Sequence, residues 1–351
     1  MTVIARYPVA ESGLPAGWHL KEARPADTPD ILAFLTAAPR LTGKKFGATL
    51  PDIDALIASA WPGEAKILRG PGGAGAGGIE ALSVLHSPHG EQPEILSTLL
   101  TRPDLPLPLA DHLLLDQIRA FDRIGRSLGP GAFLRFIQGD RQEAVVRALL
   151  HRGARIETRF YRLRRSLAYD DETALDRAAV PGFRLLPWAD VLACGLSEAV
   201  RQLQYDTFRE HFGNMSKTRE DWPGFIGNPG FARDYSFALT REGNSEVVGY
   251  ALASFYSDDS GPGFETLPHI DYIGVAKEFR GQGLAKLILQ KFWLEALRRG
   301  HRAVSLGSDI FNRTGSVWLY LGQGYAPVEH QASYRFDLGD EALLRATGAR
   351  G

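Results

Sequence analysis

Cysteine is nearly missing from this chain. Cys194 is the only one in 351 residues, which excludes an intramolecular disulfide and any metal site assembled from clustered thiolates. A lone thiol suits a reducing compartment, so a cytoplasmic protein is expected, with no metal. Charge of one sign is not in excess either: 40 Lys and Arg stand against 41 Asp and Glu, a formal net charge of −1. The chain therefore lacks the broad positive field behind non-specific nucleic-acid binding, and nucleic acid is not an expected partner. No apolar run approaches the ~18 residues of a membrane span, so no membrane association is expected. Residues 1–17 have no continuous apolar segment after a basic start, so they do not read as a secretory signal.

What is present is ordinary globular material: 44% hydrophobic and 23% charged residues, with 38 Gly and 21 Pro. At roughly 150 residues per domain the length suggests two domains. Residues 1–17 read as a loose leader broken by Pro8, Gly13, Pro15 and Gly17. A first unit spans 18–168, an acidic connection ending at Pro181-Gly182 spans 169–182, a second unit spans 183–340, and 341–351 form a tail. Both units follow one order: helix, strand, glycine-containing turn, strand, helix, strand, helix, strand. Helices are expected over 111–128, 142–151, 189–211, 216–226 and 283–299, the last with Leu284, Leu287, Ile288, Leu294 and Leu297 as its buried stripe.

Two stretches invite functional readings and get plainer ones. The run Gly70–Gly78 lies between two strand-like segments, Ala65–Arg69 and Ile79–Leu85, so it reads as a hairpin turn rather than a phosphate loop, which must enter a helix. Residues 141–165 hold eight arginines against Glu143 and Glu157, which reads as a solvated helix face and an edge strand rather than a polyanion patch.

The chemistry concentrates in 269–325. His269–Val275 is a strand whose alternation would put His269, Asp271, Ile273 and Val275 on one face. It turns through Arg280-Gly-Gln-Gly-Leu-Ala285 into an amphipathic helix. A glycine-rich turn from a strand into a helix N-terminus is the arrangement that binds a diphosphate: orphan N–H groups and the helix dipole face the anion, and Gly281 and Gly283 let the backbone approach it.

Arg280-x-x-Gly283-x-Ala285 resembles the pyrophosphate motif of the GNAT superfamily of acyl-CoA N-acyltransferases. Asn312 and Leu319-Tyr320-x-x-x-Gly324-Tyr325 resemble a second block of that superfamily. The resemblance covers about 183–338 and is sharpest over 269–325. It implies two tandem GNAT-like domains of α/β (α+β) class, each a mixed, mostly antiparallel sheet flanked by helices. It further implies that the backbone of Gly281, Gln282, Gly283, Leu284 and Ala285, behind Arg280, holds the pyrophosphate of acetyl-CoA or another acyl-CoA. Val275 would pair with the pantetheine amides, and the N–H of Ile273 or Val275 would face the thioester oxygen. Asn312 would contact pantetheine, with Ser316 and Tyr320 following on the same side of a helix, and Tyr320 would act as the acid at sulfur.

Many superfamily members carry a Glu base where His269 stands. Serotonin N-acetyltransferase resembles this chain more closely there, having two histidines one residue apart at the places of His269 and Asp271. Either residue is a candidate base. The tandem arrangement and Phe208-x-x-His211 with Trp222 resemble the mycothiol synthase type, from which His269 departs. The expected activity is N-acetylation of a small-molecule amine, as in specialised metabolism or antibiotic self-resistance, by a monomer or homodimer. A non-catalytic acyl-CoA sensor is the alternative. The first unit lacks the phosphate turn: Leu100–Ala110 carries Pro103, Pro106 and Pro108, which remove N–H donors, so it is expected to be non-catalytic and a poor coenzyme binder.

Overall fold

The structure is a computed structural model of the chain; it describes residues 13–37, 49–71, 78–88, 93–209, 211–212, 215–258, 265–310 and 315–340. The leader up to residue 12, the glycine run 72–77, Asn312 and the tail 341–351 lie outside the described residues.

The chain folds as two compact units. Among the described residues one takes in 13–37, 49–159 and 331–340, and the other Phe160–His330. The first contains β1 (His19–Glu22), α1 (Thr28–Ala37), α2 (Leu50–Ala58), β2 (Ala60–Arg69), β3 (Ile79–His86), β4 (Glu94–Thr101), α3 (Leu107–Leu128), β5 (Phe133–Gly139), α4 (Glu143–His151) and the start of β6 (Arg155–Ser166). The second contains the rest of β6, then α5 (Glu172–Arg177), β7 (Phe183–Pro187), α6 (Trp188–Ala193), α7 (Ser197–Phe208), α8 (Asp221–Gly227), β8 (Phe237–Arg241), β9 (Val247–Asp258), β10 (Glu265–Val275), α9 (Leu284–Arg298), β11 (Ala303–Asp309), α10 (Ser316–Gly322) and the start of β12 (Ala326–Asp337). The division thus falls within β6 and β12. The acidic stretch after β6 is ordered: α5 lies on α9, where Lys291 Nζ donates to the carbonyls of Leu175 and Asp176 at 3.1 and 2.6 Å.

Each unit is a mixed, mostly antiparallel sheet flanked by helices. In the first the strand order is β1-β2-β3-β4-β5-β12, in the second β6-β11-β10-β9-β8-β7. Each contains one parallel pair joined through a helix, β4–α3–β5 and β10–α9–β11, as a parallel crossover requires. In the second unit, one face carries the α9 core (Leu287, Ile288, Phe292, Val304, Tyr320). The other carries the α6–α8 core (Trp188, Val200, Trp222, Tyr250, Tyr272). α9 buries Leu289, Phe292 and Trp293 besides its expected stripe, while Leu297 is only half-buried. The single helix expected over 189–211 is broken, because Gly195 adopts φ +68° and starts a new helix, α7, at Ser197.

Six of the eight arginines of 141–165 pair with acids of their own units. In the first, Arg147, Arg152 and Arg155 pair with Glu143, Asp111 and Asp337. In the second, Arg162, Arg164 and Arg165 pair with Glu329, Glu265 and Asp170.

One close contact fixes the end of β10. A Cβ at Gly274 would sit 2.6 Å from Tyr250 Cε1 and 2.7 Å from its hydroxyl. That ring cannot yield, because Tyr250 is fully buried and its hydroxyl is bonded to Thr207 Oγ1 at 2.7 Å. Gly274→Ala is expected to cost about 1–3 kcal/mol by overpacking, read as a lower denaturant midpoint. A variant as stable as the parent would show that the ring moves aside freely.

Candidate active site

The site is organised by an irregularity in β10. Its ladder with β9 runs in register from Glu265↔Asp258 to Ile270↔Ala253, then resumes one residue out of step at Tyr272↔Leu252. Asp271 is the extra residue, a β-bulge. The bulge switches which side chains face which way. Ile270 packs in the α9 core, and so do Ile273 and Val275 beyond the bulge, whereas Tyr272 joins Tyr250 and Leu252 on the opposite face. His269 stacks on Tyr256, which the β9 alternation puts on the same side as Tyr250 and Leu252, so it lies on the face of Tyr272. The expected single face for His269, Asp271, Ile273 and Val275 is therefore corrected: Ile273 and Val275 turn into the α9 core, because a one-residue insertion reverses the alternation.

The bulge coincides with a parting of strands. Among the described residues β10 pairs with β11 only at His269↔Ser305 and Ile270↔Leu306. Beyond that, Ala276 N–H donates to the Val248 carbonyl on β9 at 2.8 Å. Alternation then directs the backbone groups of Val275 and Ile273 to the edge away from β9. That edge suits an extended amide-bearing chain added as a strand.

Just past this edge the chain turns into α9. Gly281 and Gly283 sit at φ +77° and +80°, a backbone that favours glycine, and Gly283 is the N-cap. No side chain caps the helix and no acid occupies its first turn; Lys286 is there instead. The first-turn N–H groups are thus available to an external anion, and the dipole favours one. Arg280 Nε donates to the Val275 carbonyl at 3.1 Å, tying the turn to the strand edge.

Tyr320 lies in the second unit's α9 core, on α10. Burial pushes its phenol up to about 12, opposed by a hydrogen bond with Ser316 one turn earlier. It therefore stays protonated at neutral pH, an O–H donor. Ser316 also lies 3.4 Å from Ser308 Oγ. Asn312 lies outside the described residues.

On the α6–α8 face, His269 is buried, with Nδ1 2.9 Å from Ser305 Oγ and its ring stacked 3.9 Å from that of Tyr256. Burial and the neighbouring Asp271 charge both push the Tyr256 and Tyr272 phenols upward. Phe208 stands edge-on to Tyr272 at 5.1 Å and stacks on His211 at 4.4 Å. Burial lowers the His211 imidazole below its ordinary range against the pull of Asp309, and Arg280 adds to the lowering. His211 is therefore neutral at pH 7. Gln204, fully buried, holds the following segment through Lys217 N–H at 2.6 Å and the Met215 carbonyl at 3.0 Å. Sequence reasoning missed Ser305 and Tyr256, whose link to His269 is made only by strand pairing. Phe208-x-x-His211 was the one signal for His211. Among the described residues no group of three or more His, Cys, Asp or Glu is placed to hold a metal.

The first unit treats the same edge differently. Arg102 N–H donates to the Glu80 carbonyl on β3 at 2.9 Å, as Ala276 does to β9, so Thr101 and Leu99 occupy the topological places of Val275 and Ile273. Their outward groups are consumed by the protein itself. Thr101 N–H donates to Gln142 Oε1 at 3.0 Å, Gln142 Nε2 donates to the Thr101 carbonyl at 3.2 Å, and Gln138 Nε2 donates to the Leu99 carbonyl at 2.8 Å. The helix that follows, α3, starts behind Pro106 with another proline in its first turn. Two side chains thus stand where a coenzyme chain would pair. Gln142→Ala is expected to destabilise the chain by about 1–3 kcal/mol through unpaired buried groups, measured by chemical denaturation. An unchanged midpoint would show that water replaces the glutamine at no cost.

The Acetyltransferase (GNAT) family profile matches residues 197–325. No curated protein matches the chain. A GCN5-related N-acetyltransferase from Sphaerobacter thermophilus superposes with TM-score 0.64 at 18% identity, over 93% of this chain and 97% of that one. A tandem GNAT protein from the clavulanic acid biosynthesis pathway gives 0.62 at 15%, over 92% and 99%. A glucosamine N-acetyltransferase region of a fungal multi-domain β-N-acetylglucosaminidase gives 0.57 at 14%, over 92% and 38%. At these identities the likeness is one of fold, and the chain has the tandem GNAT fold.

Proposed function

We propose that the second unit is an acyl-CoA-dependent N-acyltransferase that moves an acetyl group from acetyl-CoA to a primary amine of a small molecule. The observation that carries this reading is one juxtaposition. The β10 edge at Ile273 and Val275 leads through the Arg280–Ala285 turn onto an uncapped helix N-terminus, and the same unit carries a buried protonated Tyr320. The edge suits the two pantetheine amides and the turn suits the diphosphate. The thioester supplies an activated acyl group.

The chain's residues supply the rest. The N–H groups of Ile273 and Val275 are donors for a carbonyl oxygen that gains charge. The acceptor arrives as an ammonium ion and gives up a proton on the bulge, where His269 and Asp271 sit. Its nitrogen bonds to the acyl carbon, the carbon–sulfur bond breaks, Tyr320 passes its proton to the departing sulfur, and the second proton shed by the nitrogen restores the phenol through solvent. The products are an amide and the free thiol. His269, where the mycothiol synthase type has Glu, favours a different small amine over a cysteinyl conjugate. Exposed Cys194 and the absence, among the described residues, of a helix long and apolar enough to cross a membrane suit a cytoplasmic site of action.

Thiol release from acetyl-CoA with a panel of primary amines tests the activity; coenzyme binding without turnover on any amine would point to a sensor instead. Tyr320→Phe is expected to lower kcat at least tenfold with little change in coenzyme affinity, and an unchanged kcat would remove the proton-donor role. Because the phenol is held near 12, no loss of rate from its ionisation is expected below about pH 11. Gly283→Asp sets a carboxylate against the diphosphate and strains an αL position. Coenzyme binding by calorimetry should be abolished, and retained micromolar affinity would refute the placement of the turn.

A further inference from the structure

The hydroxyl of Ser305 restricts what His269 can do. Ser305 is 1% exposed on β11, and its Oγ lies 2.9 Å from His269 Nδ1. Among the described residues this is its only side-chain hydrogen bond. A hydroxyl carries one hydrogen, and a buried O–H needs an acceptor. If Nδ1 bore the proton, it would donate to Oγ, and the serine hydrogen would be left buried without an acceptor. If Nδ1 is bare, Ser305 donates to it and both atoms are satisfied. The difference is that of one unsatisfied buried donor, about ten- to a hundredfold in the tautomer ratio. A 180° flip of the ring would keep its stacking on Tyr256 but put Cδ2 in the place of Nδ1, leaving the Ser305 hydroxyl without that acceptor.

We propose that Ser305 is a positioning residue that fixes His269 as the Nε2–H tautomer, so that this histidine donates a hydrogen bond at the bulge and the acceptor's proton goes to Asp271. The assignment of roles rests on the acyltransferase reading above; the tautomer does not. A neutral imidazole whose only basic lone pair is already taken by a serine hydroxyl is a poor proton acceptor. Asp271, the bulged residue two positions on, is a carboxylate with several lone pairs, and it is less buried than His269. The amine's proton passes to an Asp271 oxygen, directly or through one water, and returns to solvent after the acyl group has moved; His269 gains and loses no proton.

The test is the 15N spectrum of the full-length protein with labelled histidine, at a pH where His269 is neutral, its signals assigned by their loss in His269→Gln. The expected pattern is a pyridine-like Nδ1 and a pyrrole-like Nε2. Ser305→Thr should keep it, and Ser305→Ala should shift the ratio at least tenfold toward Nδ1–H. A pyrrole-like Nδ1 in the parent protein overturns the proposal, and so does an Ser305→Ala spectrum identical to the parent's. The role assignment is read from turnover: Asp271→Asn should lose at least a hundredfold in kcat, while His269→Gln, which keeps an N–H donor, should lose tenfold or less. The reverse order returns the base role to His269. No thiol release with any amine would refute the acyltransferase reading and leave the spectral result to decide the tautomer.

Discussion

One inserted residue sets the terms for the second unit. Asp271 breaks the β9–β10 register just where β10 leaves β11, and three consequences follow from that single break. The side chains of Ile273 and Val275 turn into the α9 core and hold the strand end from one side. Their backbone groups are left on the edge where no strand pairs. His269 and Tyr272, on either side of the bulge, face the α6–α8 layer. A regular strand could not do all three, because its alternation would send either the histidine or the isoleucine to the wrong layer. Gly274 completes the arrangement by giving room to Tyr250, so the strand is held on both faces while its edge carries backbone polar groups.

The electrostatics of the site favour groups that hold protons in neutral form. Burial raises Tyr256, Tyr272 and Tyr320, and the Asp271 charge raises the first two further. Burial lowers His211. Charge that must be buried nearby is paired, as Arg162 and Glu329 are at 2.9 Å. Under the acyltransferase proposal, such a face beside the Asp271 carboxylate suits an acceptor that arrives as a cation and leaves its proton there. Neutral donors create no field that would hold the ammonium form.

The motif was legible because its chemistry is local. Arg280 to Ala285 combine a turn, two positive-φ glycines and a helix start within six residues, and each of those demands shows in residue type. Many of the elements were legible for the same reason, since a helix or strand carries its own period. What did not show were relations between strands. Nothing in His269–Val275 announces a bulge, since Asp271 would fit a regular strand equally well. Ser305 meets His269 only through a register 36 residues away. Gly195 looks like a tolerated helix glycine until its φ of +68° divides 189–211 into two helices. Hydrophobic period reads elements; it does not read pairing.

The two units end the corresponding strand in different ways. Both sheets end a strand with backbone groups directed away from the antiparallel neighbour, and buried backbone groups must find partners. The first unit meets that demand with Gln138 and Gln142, each fixed by a buried hydrogen bond to the strand end, and it follows the strand with prolines that supply no donors. In the second unit Arg280 Nε takes the Val275 carbonyl, and the strand is followed by glycines and an uncapped helix. A strand edge satisfied from within gains nothing from a ligand amide, because each new bond would cost an old one. A strand edge whose groups face solvent exchanges water for ligand at nearly equal enthalpy and gains whatever apolar surface is covered. In the first unit two glutamines, rather than any change of topology, hold the strand edge from within.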